Sequence, residues 1–193
     1  MNSVDLNNLY ARTVNGWSDQ VRQVGVDQWS RPTPCADWTV RELVNHVTGE
    51  SLWAVPLVEG STIEEVGDRF DGDLLGDDPA TVALEAADAG LPVVADGLAR
   101  GGTVHLSYGE EQLDEYVRQL AADHLIHAWD LAAAIGNDLR PDPEVVAGVA
   151  DWYADREETY RSVGAVGPRT GTHDDRWQDL LAGAGRDPGW RQG

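Results

Sequence analysis

Seven positions in the second half of the chain, Leu113, Val117, Leu120, His124, His127, Leu131 and Ala134, are separated by alternating steps of four and three residues. That is the period of an α-helix buried along one face for its whole length, the seam of a helical bundle. It predicts a helix from about Glu111 to Ile135, with Gly136 and Asn137 as its stop. A seam of this length needs partner helices, so the chain must supply them. Two of its seven positions are histidines, which an otherwise apolar stripe does not need for packing alone.

The partners are legible. Leu6, Leu9, Val14, Trp17, Val21 and Val24 recur at helical steps before Gly25 and give a first helix. After the proline-set loop RPTPCADW, Thr39 and Glu42 form a T-x-x-E capping box that opens a second helix through Leu43, Val47 and Leu52, which Pro56 ends or kinks. The acidic, glycine-punctuated stretch from Glu59 to Gly76 reads as a loop with one short helical turn at most. Asp78 as cap and Pro79 in the first turn open a third helix through Val82, Leu84, Ala87 and Leu91, which Pro92 interrupts before Leu98. TVHLSY alternates but reads as readily as an extended connector, and we expect no sheet there. A further helix runs from Pro143, capped by Asp142, to about Arg161, and DDRWQDLLAGAGRDPGW holds one more short helical segment. The expectation is an all-α single domain over 1–193, with a bundle core at 1–163 and a Gly-rich tail at 164–193.

Composition narrows the partners. Asp and Glu total 34 against 14 basic residues, all of them Arg, for a formal net charge of −20. Phosphate backbones and anionic membrane surfaces would repel such a chain, so nucleic acid and membrane are not expected partners. No apolar run approaches the roughly 18 residues of a membrane span, and MNSVDLNNLYAR lacks the basic and hydrophobic parts of a leader, so a cytoplasmic location is expected. The single Cys35 fits a reducing compartment and excludes a Cys-rich zinc site.

The seam histidines are where chemistry can sit. Asp123 and His127, at i and i+4, lie about 40° apart on one helix face. A carboxylate and a neutral imidazole in that relation can hold one divalent ion. His46, one turn after Leu43 and beside Val47, is the candidate third ligand from the second helix. Three protein ligands would leave positions open for water or substrate, as in a catalytic site. The same spacing also fits hydrogen-bonded core histidines and an ordinary helix-stabilising Asp-His pair, and His124 shares a face with His127, so spacing alone leaves Asp123 and His124 open. Cys35 reads as a reactive thiol near a helix start or as a small buried residue. His173 with Asp174 and Asp175 reads as a solvated cluster, His105 as a loop histidine and Trp129 as a packing anchor. Asp130 is placed to support a ligand or to pair with an Arg. No phosphate-binding glycine loop, G-x-S-x-G elbow or H-E-x-x-H is present.

PTPCADWTVRELVNHVTG around His46, DHLIHAWDLAAAIG around His127 and the ending GRDPGW together resemble the DinB/YfiT-like metal-binding family of actinobacteria, related to the metal-binding domain of mycothiol-dependent maleylpyruvate isomerases. The resemblance spans essentially the whole chain. It implies a DinB-like bundle of four main helices with long loops and a short C-terminal extension. It also implies His46, Asp123 and His127 as ligands of a divalent metal, Zn²⁺ first, with Ni²⁺, Fe²⁺ or Mn²⁺ compatible; the D-x-x-x-H-x-W-D register favours Asp123 over His124. The isomerases look to carry Glu at the position of Asp123, which would bring an ion nearer the helix here. They also carry an additional C-terminal domain, for which only about 30 residues remain, so activity on maleylpyruvate is not carried over.

The function so implied is a metal-dependent enzyme in which a low-molecular-weight thiol of the mycothiol type serves as cosubstrate. Its thiolate would be transferred or added to, or used to isomerise, a small electrophilic substrate. The alternative is a non-catalytic metal-binding or ligand-sequestering stress-response bundle. A 2-His-1-carboxylate Fe(II) oxygenase matches in ligand types, but helix-borne ligands and the resemblance argue against it. Exposed helix faces are compatible with a homodimer.

Overall fold

Each capping signal opens a helix where the sequence places it. Helix α1 spans Leu6–Val21 and stops before Val24, because the chain turns at Arg22. Helix α2, Val40–Val58, begins at a complete capping box in which the Thr39 side chain accepts from the Glu42 N–H and the Glu42 carboxylate accepts from the Thr39 N–H. A four-residue turn, α3 (Ile63–Val66), lies in the acidic loop, and α4, Pro79–Arg100, follows the Asp78 cap. The structure, a computed structural model, describes residues 5–191.

The middle of the chain differs from expectation in α4 and in the connector after it. Pro92 does not interrupt α4: Pro92 and Asp88 both lie on the exposed side, so the Asp88 carbonyl that loses its intrahelical partner faces water. The connector after α4 is paired: β1 (Thr103–Leu106) and β2 (Gly109–Gln112) form an antiparallel hairpin with Thr103 opposite Gln112. The second strand, Gly-Glu-Glu-Gln, carries no apolar alternation, so no pattern marks it. His105 therefore lies on a strand, its Nδ1 3.7 Å from Glu110 Oε1.

Helix α5 spans Leu113–Ile135, and Gly136, left-handed at φ 88°, ends it while the Asn137 N–H donates to the Ala132 carbonyl at 2.8 Å. The helix expected from Pro143 to Arg161 divides into α6 (Pro143–Ala154) and α7 (Glu157–Ser162). The break swings Glu157 toward Arg169, a partner from beyond the helix that no local pattern predicts. Helix α8, Arg176–Gly183, docks on α6, and its Leu180 joins the common core.

The bundle is all-α apart from the hairpin. Its four long helices form a ring in the order α1, α5, α2, α4, each packed on two neighbours around Val14, Trp17, Leu43, Val47, Leu120 and Leu131. The ring makes α2 and α5 adjacent, which brings position 46 beside positions 123 and 127. Among the described residues no helix is long and apolar enough to cross a membrane.

Candidate metal centre

His46 projects from α2 because its neighbours Leu43 and Val47 are the buried anchors of that helix, leaving 46 on the edge that faces α5. Asp123 and His127 come from α5, one turn apart. Asp123 Oδ1 lies 3.3 Å from His127 Nε2 and 3.8 Å from His46 Nε2. One donor atom from each of the three falls within 4.8 Å of the others, a spacing that admits a single ion. The second carboxylate oxygen, Asp123 Oδ2, is buried and has no hydrogen-bond partner. Buried polar atoms are almost always satisfied, so an orphan among three ligand-type side chains fits a group that binds there.

Electrostatics reinforce the cluster. Burial works to raise the Asp123 pKa, but the His127 and His46 imidazoles overcome it and hold the carboxyl well below the usual range. Burial likewise opposes charge on His127, yet Asp123 and then Asp130 raise its pKa well above that of an ordinary histidine.

Asp123 and His124 stand in different surroundings. His124 is fully buried against α1 and α2, with Nδ1 donating to the Leu120 carbonyl at 2.8 Å and Nε2 3.2 Å from the Ser51 hydroxyl. Both ring nitrogens are engaged, and burial lowers its pKa, so the ring is a neutral core residue packed edge-on to Tyr10.

Behind His127 stands Asp130, fully buried, its Oδ2 accepting from His127 Nδ1 at 2.9 Å. Arg186, from the segment after α8, donates to the same Asp130 oxygen at 2.9 Å, and its Nη2 also lies 2.9 Å from Cys35 Sγ. Cys35, His127 and Asp130 thus form a second group of ligand-type atoms within 4.8 Å. The Arg186 guanidinium already supplies a cation to that group. Cys35 sits on the loop before α2 rather than at a helix start, and the loop is closed by the Thr33 N–H donating to the Trp38 carbonyl at 3.0 Å. Trp38, from the same loop, lies against His46 with ring centroids 4.9 Å apart. Trp129 is a buried packing residue, and His173 lies apart from the cluster with its N–H bonded to Asp179.

The triad opens into a cavity of about 620 Å³. Its walls include Trp38, Tyr116, Trp152 and Tyr160, a carboxyl from Glu50, and the segment from Gly164 to Gly167. Burial raises the Glu50 pKa and the neighbouring Asp123 charge raises it further. The one sign of Glu50 in the sequence is its spacing, four residues after His46 on the same face of α2. Arg186 offered none, because its partner lies 56 residues away.

A family model described as the mycothiol maleylpyruvate isomerase N-terminal domain matches residues 10–132. The chain is 32% identical over 145 residues to uncharacterized proteins from two strains of Mycobacterium tuberculosis, the alignment covering 70% of this chain and 70% of each relative. No solved structure matches with significance.

Proposed function

The chain belongs to the mycothiol maleylpyruvate isomerase N-terminal domain family, and from that premise we propose that it is a metal-dependent enzyme that uses a low-molecular-weight thiol of the mycothiol type. In this reading His46, Asp123 and His127 hold a divalent ion, Zn²⁺ first, and the thiol reacts by transfer, addition or isomerisation with a small electrophilic substrate. The observation that carries it is the orphaned, buried Asp123 Oδ2 beside two imidazoles at the wall of the cavity. Two neutral nitrogens and a carboxylate oxygen are a donor set that suits Zn²⁺ and leaves room for an outside ligand. When bound, the ion would favour the thiolate form of a thiol beside it at neutral pH.

The chain's own groups perform the remaining tasks. Asp130 accepts from His127 Nδ1 and so directs Nε2 toward Asp123. Glu50, a half-buried carboxyl with a raised pKa on the cavity wall, is the group to take up or return a substrate proton. Trp38 covers the imidazoles, while Tyr116, Trp152 and Tyr160 supply an aromatic wall for a planar or unsaturated substrate. Arg186 is the one arginine on the cavity wall and is committed to Asp130, so the wall offers an anionic sulfur little beyond the ion itself.

The test is metal analysis of protein purified without added ions, followed by thiol titration of the Co²⁺-substituted form. We expect stoichiometric metal, its loss in His127→Ala, and a thiol-dependent change in the Co²⁺ spectrum. Full metal occupancy in His127→Ala would overturn the ligand assignment. Metal that no thiol perturbs would favour the sequestering bundle instead.

A further inference from the structure

The family model ends at residue 132, yet one group in the site's hydrogen-bond chain comes from residue 186. The Arg186 side chain is only 12% exposed. Its backbone N–H donates to the Leu181 carbonyl at 2.9 Å and its Nη1 to the Ala184 carbonyl at 2.8 Å, which anchors both the backbone and the guanidinium just beyond α8. The guanidinium then forks onto Asp130, with Nε 3.2 Å from both carboxylate oxygens and Nη2 2.9 Å from Oδ2. A planar fork on a planar carboxylate fixes the orientation of both groups, which a point charge does not.

Asp130 passes that constraint on. Its Oδ2 accepts the Nδ1 proton of His127, so the nitrogen left to offer a lone pair to an ion is Nε2, 3.3 Å from Asp123 Oδ1. We propose that Arg186 is a positioning residue for the metal centre, acting through Asp130 on His127. The C-terminal segment is thereby a working part of the site rather than an appendage to the bundle. The inference rests on His127 being a ligand. Arg186 itself lies outside the matched region, and the role explains why a buried arginine on the cavity wall is committed to Asp130.

The test is a double-mutant cycle on the full chain, read by titration with Co²⁺ and its visible absorption. Arg186→Gln and Asp130→Asn should each weaken Co²⁺ binding by about 10–100-fold, the usual cost of losing an outer-shell partner of a ligating histidine. The double variant should bind no more weakly than Asp130→Asn alone, because the proposed route from Arg186 to His127 runs through that carboxylate. A merely structural arginine would lower the melting temperature without this non-additivity. Wild-type Co²⁺ affinity in folded Arg186→Gln, or a double loss equal to the product of the single losses, would overturn the proposal. If Arg186→Gln fails to fold, Arg186→Lys, which keeps the charge but loses the fork, takes its place with the same two outcomes. Wild-type protein that binds no Co²⁺ removes the metal reading itself, an outcome separate from either.

Discussion

Single side chains divide the labour at the site by what surrounds each of them. His124 and His127 are three residues apart on one helix, yet one is satisfied by Leu120 and Ser51 while the other is aimed by Asp130 toward Asp123. Spacing left Asp123 and His124 open as the partner of His127, because what separates those two lies in neighbours from other turns and other helices. The same limit hid Glu50, whose importance comes from the company of Asp123 and the cavity rather than from its own position. Glu50→Gln should leave metal stoichiometry unchanged, since Glu50 is outside the triad, and should lower thiol turnover by roughly 10²–10⁴-fold, the usual contribution of a general acid-base group. Comparing metal content with turnover in that variant checks it. Unchanged turnover would return Glu50 to the role of a wall residue.

Secondary-structure elements were read best where a local rule governs them. The Thr39-Glu42 box, the Asp78 and Asp142 caps and the Gly136 stop each act within four residues, and all four are in place. The hairpin strand Gly109–Gln112 and the split between α6 and α7 were not legible, because pairing and ion-pair partners decide them from a distance. Close approach of helices leaves a similar mark. A Cβ at Gly97 on α4 would lie 2.5 Å from Val58 Cγ1 and 3.2 Å from Leu113 Cδ2, whereas one at Gly16 on α1 meets nothing within 4 Å. Gly16→Ala should therefore stabilise the protein by roughly 0.5–1 kcal/mol through helix propensity. Gly97→Ala, overpacked by about 1–3 kcal/mol where α4 crosses α2, should destabilise it. Thermal melts of the two variants should move in opposite directions.

Across the whole molecule, the tail is held by charge as well as by packing. Arg169 donates to Glu157 Oε1 and Oε2 and to Asp179 Oδ1, each at 2.8 Å, tying α7 to α8. Its hydrogen bonds hold both carboxyls below their ordinary pKa values. The folded values are depressed, so the stabilisation is complete above the unfolded values of about 4.3 and 3.9 and is lost as pH falls through the folded ones. Acid also discharges the net −20 and relieves repulsion, so a global melt mixes two opposed effects. Hydrogen exchange resolves them: α8 amides should lose protection as pH falls below about 4, and Arg169→Gln should remove that dependence. Equal acid loss in the variant would assign it to other groups.

The indole of Trp38 lies 4.9 Å from the His46 ring and 6.1 Å from that of His127. Excited tryptophan loses its energy readily to a nearby charged imidazole or an open-shell ion, over distances of this order. An open-shell ion such as Co²⁺ held by His46 would therefore dim the share of the fluorescence that Trp38 contributes among the eight tryptophans, whereas closed-shell Zn²⁺ would not.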